Sequence, residues 1–194
     1  MRLTASADPN LWAPVSWPSG LRGRRYRKAA FRLMTAQTRR AFEQAGGPGP
    51  ALGWLVERLA PRTLAAANGT RLVWSWKDDP ELLAAMAGVV ELTPQVRAAR
   101  AMMPMEYDDT ESFPTALGVG EKLVMPVPPN PDDPPFATYT WDTGTHLVTL
   151  SAFSGDRERF GTTLPALDDL ARSIRIADDL TTGEAGDVLR LPPA

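Results

Sequence analysis

The stretch from Phe136 to Phe153 constrains this chain more than any other. Phe136-Ala-Thr-Tyr-Thr-Trp141 and Thr145-His-Leu-Val-Thr-Leu-Ser-Ala-Phe153 are rich in β-branched and aromatic residues. Asp142-Thr-Gly144 lies between them and supplies turn chemistry, so the stretch reads as a β-hairpin. A hairpin alone is marginal in water, so it needs further strands or a packed helix. The partner helix is predicted over 163–176. Leu164, Leu167, Leu170, Ala171 and Ile174 form a continuous apolar stripe there, with Thr163 as the expected cap. Asp168 and Asp169 toward its start, with Arg172 and Arg175 in its last turn, complement the helix dipole.

Further elements follow from the same patterns. Residues 70–77 read as a strand, with Leu72, Trp74 and Trp76 on one face. Residues 85–92 read as a strand despite the alanines before them, and residues 121–125 as another. Pro126 to Pro135 holds six prolines and must be extended. Residues 24–45 read as a helix, with Phe31, Met34, Thr38 and Phe42 on one face and arginines elsewhere. Residues 51–60 read as a second helix, and residues 95–107 carry little signal. Residues 1–20 read as irregular, with Leu11 to Pro18 extended because each proline pushes its predecessor out of the α region.

The predicted organisation is an N-terminal extended and helical arm over 1–49, a folded domain over 50–177 and an acidic flexible tail over 178–194. A chain of 194 residues is long enough for a real core. It contains no cysteine and one histidine, His146. Disulfides, thiolate metal sites, cysteine nucleophiles and intrachain two-histidine metal sites are thereby excluded. The start of the chain has no apolar stretch of signal-peptide length, so a cytoplasmic location is expected.

A net charge of −2 conceals an asymmetry. Residues 1–77 hold 13 basic and 3 acidic side chains, whereas residues 78–194 hold 8 basic and 20 acidic. The basic segment either contacts nucleic acid or an acidic partner, or it packs on the acidic body of the same chain or of a second copy. The overall pI of 5.5 is far from that of a nucleic-acid-binding domain, roughly 9 or above.

Catalytic candidates are sparse. His146 would need an orienting carboxylate and a nucleophile. Asp142 is near in sequence, but Ser151 lies at an odd offset and so on the opposite strand face. Five Asp-Asp pairs (78–79, 108–109, 132–133, 168–169 and 178–179) suit turns and solubility better than chelation, because adjacent side chains diverge. Gly118-Val-Gly120 precedes a strand and Gly155…Gly161 lacks a following Lys-Ser/Thr, so neither is a phosphate loop. Met102-Met103-Pro104-Met105 is a soft apolar segment suited to a core or a partner. No cofactor is expected.

From Gly118 to Ile176 the order of elements is similar to that of the PsbP-like family of actinobacterial proteins. The residues carrying the likeness are Tyr139-x-Trp141, Leu147-Val-Thr-Leu-Ser-Ala-Phe153 and Leu167-Asp168-Asp169-Leu170-Ala171-Arg172-Ser173-Ile174. That resemblance implies an α+β fold: a twisted antiparallel sheet with helices on both faces, an α/β/α sandwich. It implies accessory or binding roles and transfers no functional residue. The expected function is therefore a non-catalytic protein-interaction or accessory module. Trp12, Trp17, Arg24, Arg25, Tyr26 and Arg27 are its candidate partner-binding residues, and another protein or a second copy is the partner. The alternatives are nucleic-acid binding through residues 22–40, or a hydrolase-like enzyme using Asp, Ser and His146.

Overall fold

A computed structural model describes residues 2–15, 23–44, 69–102, 110–128 and 133–177. In chain order the strands and helices are β1 (Arg2–Thr4), β2 (Trp12–Pro14), α1 (Arg24–Gln44), β3 (Arg71–Trp76), β4 (Leu83–Glu91), α2 (Pro94–Met102), β5 (Thr110–Thr115), β6 (Gly118–Met125), β7 (Phe136–Asp142), β8 (His146–Ser154), α3 (Phe160–Ser173) and β9 (Arg175–Ala177).

Seven strands form one antiparallel sheet in the order β2-β3-β4-β8-β7-β6-β5, and β1 pairs with β9 in a separate two-stranded ribbon. The predicted hairpin is its centre: Trp141 lies opposite Val148 and Tyr139 opposite Leu150. Strict alternation buries Ala137, Tyr139 and Trp141 on β7 with Val148, Leu150 and Ala152 on β8. These residues share a face with Ala85 and Ala87 of β4 and Trp74 of β3. α3 closes that face with Phe160, Leu167, Leu170 and Ala171, and Ile174 follows it into the same core.

The reverse face is covered differently. α1 sets Ala30 and Leu33 against Ala84, with Val15 beside them and Val73 and Phe153 packed around. α2 reaches the β7–β8 turn through Arg97, whose guanidinium donates to the Gly144 carbonyl at 2.7 Å. Among the described residues strands predominate, and each face of the large sheet meets only one packed helix, α3 on one side and the first half of α1 on the other, so the expected α/β/α sandwich with helices layered on both faces is not what forms. The reason lies partly in the N-terminal segment, which was expected to be an appended arm. Leu3 and Trp12 are too apolar to leave in water. β1 and β2 therefore join the body as strands, leaving Leu3 1% and Trp12 2% exposed. β5 supplies a further strand that the sequence did not suggest.

Other expectations fare unevenly. The strands near 70–77, 85–92 and 121–125 and the helices near 24–45 and 163–176 all form. Thr163 does not cap α3. It is buried within the first turn and donates to the Phe160 carbonyl at 2.7 Å, while Arg159 occupies the cap position without a side-chain bond. The predicted helix at 51–60 and the acidic tail over 178–194 lie outside the described residues.

Two glycines are required by contact. A Cβ on Gly120 would lie 2.4 Å from Trp141 Cδ1 and 2.6 Å from the Thr140 carbonyl oxygen, so the indole rests directly on this backbone. A Cβ on Gly155 would lie 2.4 Å from the Glu81 carbonyl oxygen. Real Cβ atoms do not approach that closely, so both positions depend on the missing side chain.

Candidate functional site

The most developed polar cluster lies under α3 at the β5–β6–β7 end of the core. β6 presents Gly120, Lys122 and Val124 toward α3, and β7 presents Tyr139 opposite Lys122. Tyr139 donates its hydroxyl to Asp168 Oδ1 at 2.7 Å. Lys122 Nζ reaches the same carboxylate at 2.9 Å to Oδ1 and 3.1 Å to Oδ2. The Lys122 and Asp168 side chains are only 12% and 20% exposed. Burial, then the bond to Asp168 and its charge, push the Tyr139 hydroxyl far above the usual phenol range.

Aromatic rings enclose this cluster. Phe113 meets Tyr139 edge-on at 5.0 Å between centroids, and Tyr139 stacks on Trp141 at 6.2 Å. Lys122 Nζ lies 5.7 Å from the Phe113 centroid, and the Arg172 guanidinium lies 5.1 Å from it. Trp141 Nε1 is the one buried side-chain nitrogen or oxygen among the described residues that lacks a hydrogen-bond partner. Chemically, the cluster holds a phenol protonated and fixes a lysine by a carboxylate. Its groups satisfy one another, so it anchors α3 to β6 and β7.

The residues singled out as a hydrolase-like set do not converge. His146 stands opposite Glu91 in the β4–β8 register, and Ser151 opposite Met86 on the other face of β8. His146 Nδ1 is engaged with the Thr145 hydroxyl at 2.9 Å, and Asp142 Oδ1 accepts the Gly144 amide within the turn. A shallow groove of about 260 Å³ runs between residues 6–12 and α3, with Asp8 and Asp169 on its walls. Asp8 accepts from the Asn10 amide, and Asp169 pairs with Arg172. Among the described residues no group of three or more metal-ligating side chains is positioned to hold an ion.

The predicted partner-binding residues divide. Trp12 is a core residue, meeting Trp76 edge-on at 5.4 Å. Its indole is not presented to a partner. Trp17 lies outside the described residues. Arg24 and Arg25 are exposed at the start of α1, with Lys28 one turn on, and Arg27 is half-buried. Tyr26 is tied down: its hydroxyl donates to the Lys77 carbonyl at 3.0 Å and accepts from Arg25 at 2.7 Å. Lys77 Nζ in turn donates to the Pro9 carbonyl at 2.6 Å. α1, the end of β3 and the loop before β2 are thus joined, which holds the start of α1 in place.

No protein-family model matches the chain, and no curated protein matches it. The likeness of residues 118–176 to the PsbP-like family therefore rests on the sequence pattern alone.

Sequence reasoning missed Lys122 and Tyr139 as polar partners and read Asp168 only for its effect on the helix dipole. One signal was available. Alternation puts Tyr139 on the buried face of β7, and a buried hydroxyl requires a partner.

Proposed function

We propose that the chain is a cytoplasmic, non-catalytic protein-interaction or accessory module whose contact surface is the outer side of α1's first half. The observation that carries this reading is the division of that helix. Ala29, Ala30 and Leu33 are buried on the sheet side, while Arg24, Arg25 and Lys28 project outward. The attachment of Tyr26 to Lys77 holds the start of the helix, so less helix entropy is lost when a partner docks.

A row of cations on one helix face calls for an acidic partner surface, on another protein or on a second copy of this chain. The excess of 20 acidic over 8 basic side chains in residues 78–194 makes a second copy electrostatically complementary. Nucleic-acid binding through residues 22–40 is less well supported. Tyr26, the residue expected to stack on a base, is bonded to Lys77 and covered by Arg25, whose guanidinium lies 4.7 Å from the ring centroid.

The test is light scattering behind size exclusion at low and high salt. It compares the full chain with an Arg24→Glu, Arg25→Glu, Lys28→Glu triple variant, each with and without added RNA. Self-association that salt and the triple variant both abolish supports the second-copy form of the reading. A shift of the wild-type chain only when RNA is added contradicts the reading in favour of nucleic acid.

A further inference from the structure

The two outer strands of the large sheet, β2 and β5, each carry an exposed proline next to or near a buried aromatic residue: Pro14 after Trp12, and Pro114 after Phe113. What matters is the direction in which each ring nitrogen points. In an antiparallel pair, the amides of successive residues alternate between the neighbouring strand and the outside.

On β2 the Val15 amide donates inward to the Val73 carbonyl at 2.8 Å, and the Leu11 carbonyl accepts inward from the Lys77 amide at 2.9 Å. Residues 11, 13 and 15 therefore face β3, and Trp12 and Pro14 face outward. Pro14 has no donor. The Trp12 amide is already spent on the Asp8 carbonyl at 2.9 Å. The outer edge of β2 thus has no free amide to give.

On β5 the two-residue turn Ala116–Leu117 makes Thr115 and Gly118 the hydrogen-bonded pair, so Pro114 again points outward. Among the described residues this edge keeps only the outward amides of Thr110 and Ser112.

We infer that the sheet is closed to strand addition along its β2 edge and at the turn end of its β5 edge. Neither an extended peptide nor the edge strand of a second copy joins it there. An open edge is a template for uncontrolled pairing, and outward-facing proline with a pre-engaged amide removes that template. This inference is independent of the role proposed for α1. It concerns which surfaces the sheet withholds from contact, whatever the helix does.

The test restores the missing donors. Pro14→Thr and Pro114→Thr are made singly and together in the full chain, and the near-ultraviolet signal of the tryptophans reports whether each is folded. Sedimentation over a wide concentration range is then compared with that of the wild-type chain at high salt, where contacts through the α1 cations are screened. The expected result is a rise in mass with concentration in the double variant that the wild-type chain lacks. Identical mass profiles for folded variants and wild type overturn the inference.

The wild-type chain supplies a second measurement that needs no variant. The Trp12 amide should exchange with solvent far more slowly than the Ser112 amide. Equal exchange at the two overturns closure of the β2 edge.

Discussion

Tyr139 of β7 donates its phenolic hydrogen to the carboxylate of Asp168 on α3 across 2.7 Å. That one bond ties the helix to the sheet at the end where Lys122 meets the same carboxylate. Removing the shared acceptor strands two groups at once. Asp168→Ala is expected to lower the unfolding free energy by about 2 kcal/mol, short of the roughly 3–5 kcal/mol of a fully buried pair because both ionic partners keep some contact with water. Asp168→Asn retains an acceptor for Tyr139 and should lose about half as much. Urea denaturation checks both. An Asp168→Ala chain as stable as wild type would show that the cluster contributes nothing to holding α3.

The raised ionisation of Tyr139 gives a pH dependence with a definite sign. The folded protein keeps the phenol protonated, whereas the unfolded chain releases that proton near the ordinary phenol value of 10.0. Above that pH the unfolded state binds fewer protons, so stability falls as pH rises and is fully present below it. The loss approaches about 1.4 kcal/mol per pH unit. Tyr139→Phe should cost about 1 kcal/mol at neutral pH and flatten this alkaline slope. Parallel slopes in the two proteins would remove Tyr139 from the account.

Gly120 is expected to tolerate no side chain. Gly120→Ala places a methyl group where Trp141 already lies, and it should cost about 1–3 kcal/mol. Combining it with Trp141→Leu should recover part of that loss, which a double-mutant cycle by denaturant unfolding measures. Trp141→Leu also removes the unpartnered Nε1 donor. Strict additivity of the two changes would contradict direct contact.

Trp12 and the outward cations of α1 should separate cleanly. Trp12→Ala empties a buried site and is expected to cost about 3–5 kcal/mol. Charge reversal at Arg24 and Lys28, which leaves the Arg25–Tyr26 bond in place, should change stability by no more than about 0.5 kcal/mol, since exposed sites contribute little to folding. Thermal melts of both variants decide the matter. Comparable losses would mean that the α1 cations belong to the fold and leave no dedicated contact surface.

How much of this was legible in the sequence follows from where each signal resides. The β7–β8 hairpin and α3 carry their periodicity within a dozen residues, so alternation and an apolar stripe located them. β2 and β5 are short and contain Pro14 and Pro114, which locally argue against a strand. Only pairing with β3 and β6, from 60 or more residues away for β2 and across a tight turn for β5, makes them strands. Trp12 was read as a possible anchor for a partner because nothing local shows that β3 will cover it. The same distance hid the Tyr139 cluster. Asp168 lies 29 residues from Tyr139 and 46 from Lys122, and no spacing rule joins three such positions. Charge, by contrast, was legible throughout: the basic start of α1 is where composition placed it, although Tyr26 proved to be tethered.

The most direct test of the interaction reading is site-specific photo-crosslinking in living cells. The crosslinker is placed in turn at positions 24 and 28 on α1 and, as a control, at position 119 beside the β5–β6 turn, where Val119 is 73% exposed. The account predicts one dominant protein adduct from positions 24 and 28, identified by mass spectrometry as a second copy or as one other protein. That adduct should be absent at 119 and lost when Arg25 is changed to Glu. Equal yields at all three positions, or adducts to nucleic acid from 24 and 28, would contradict it.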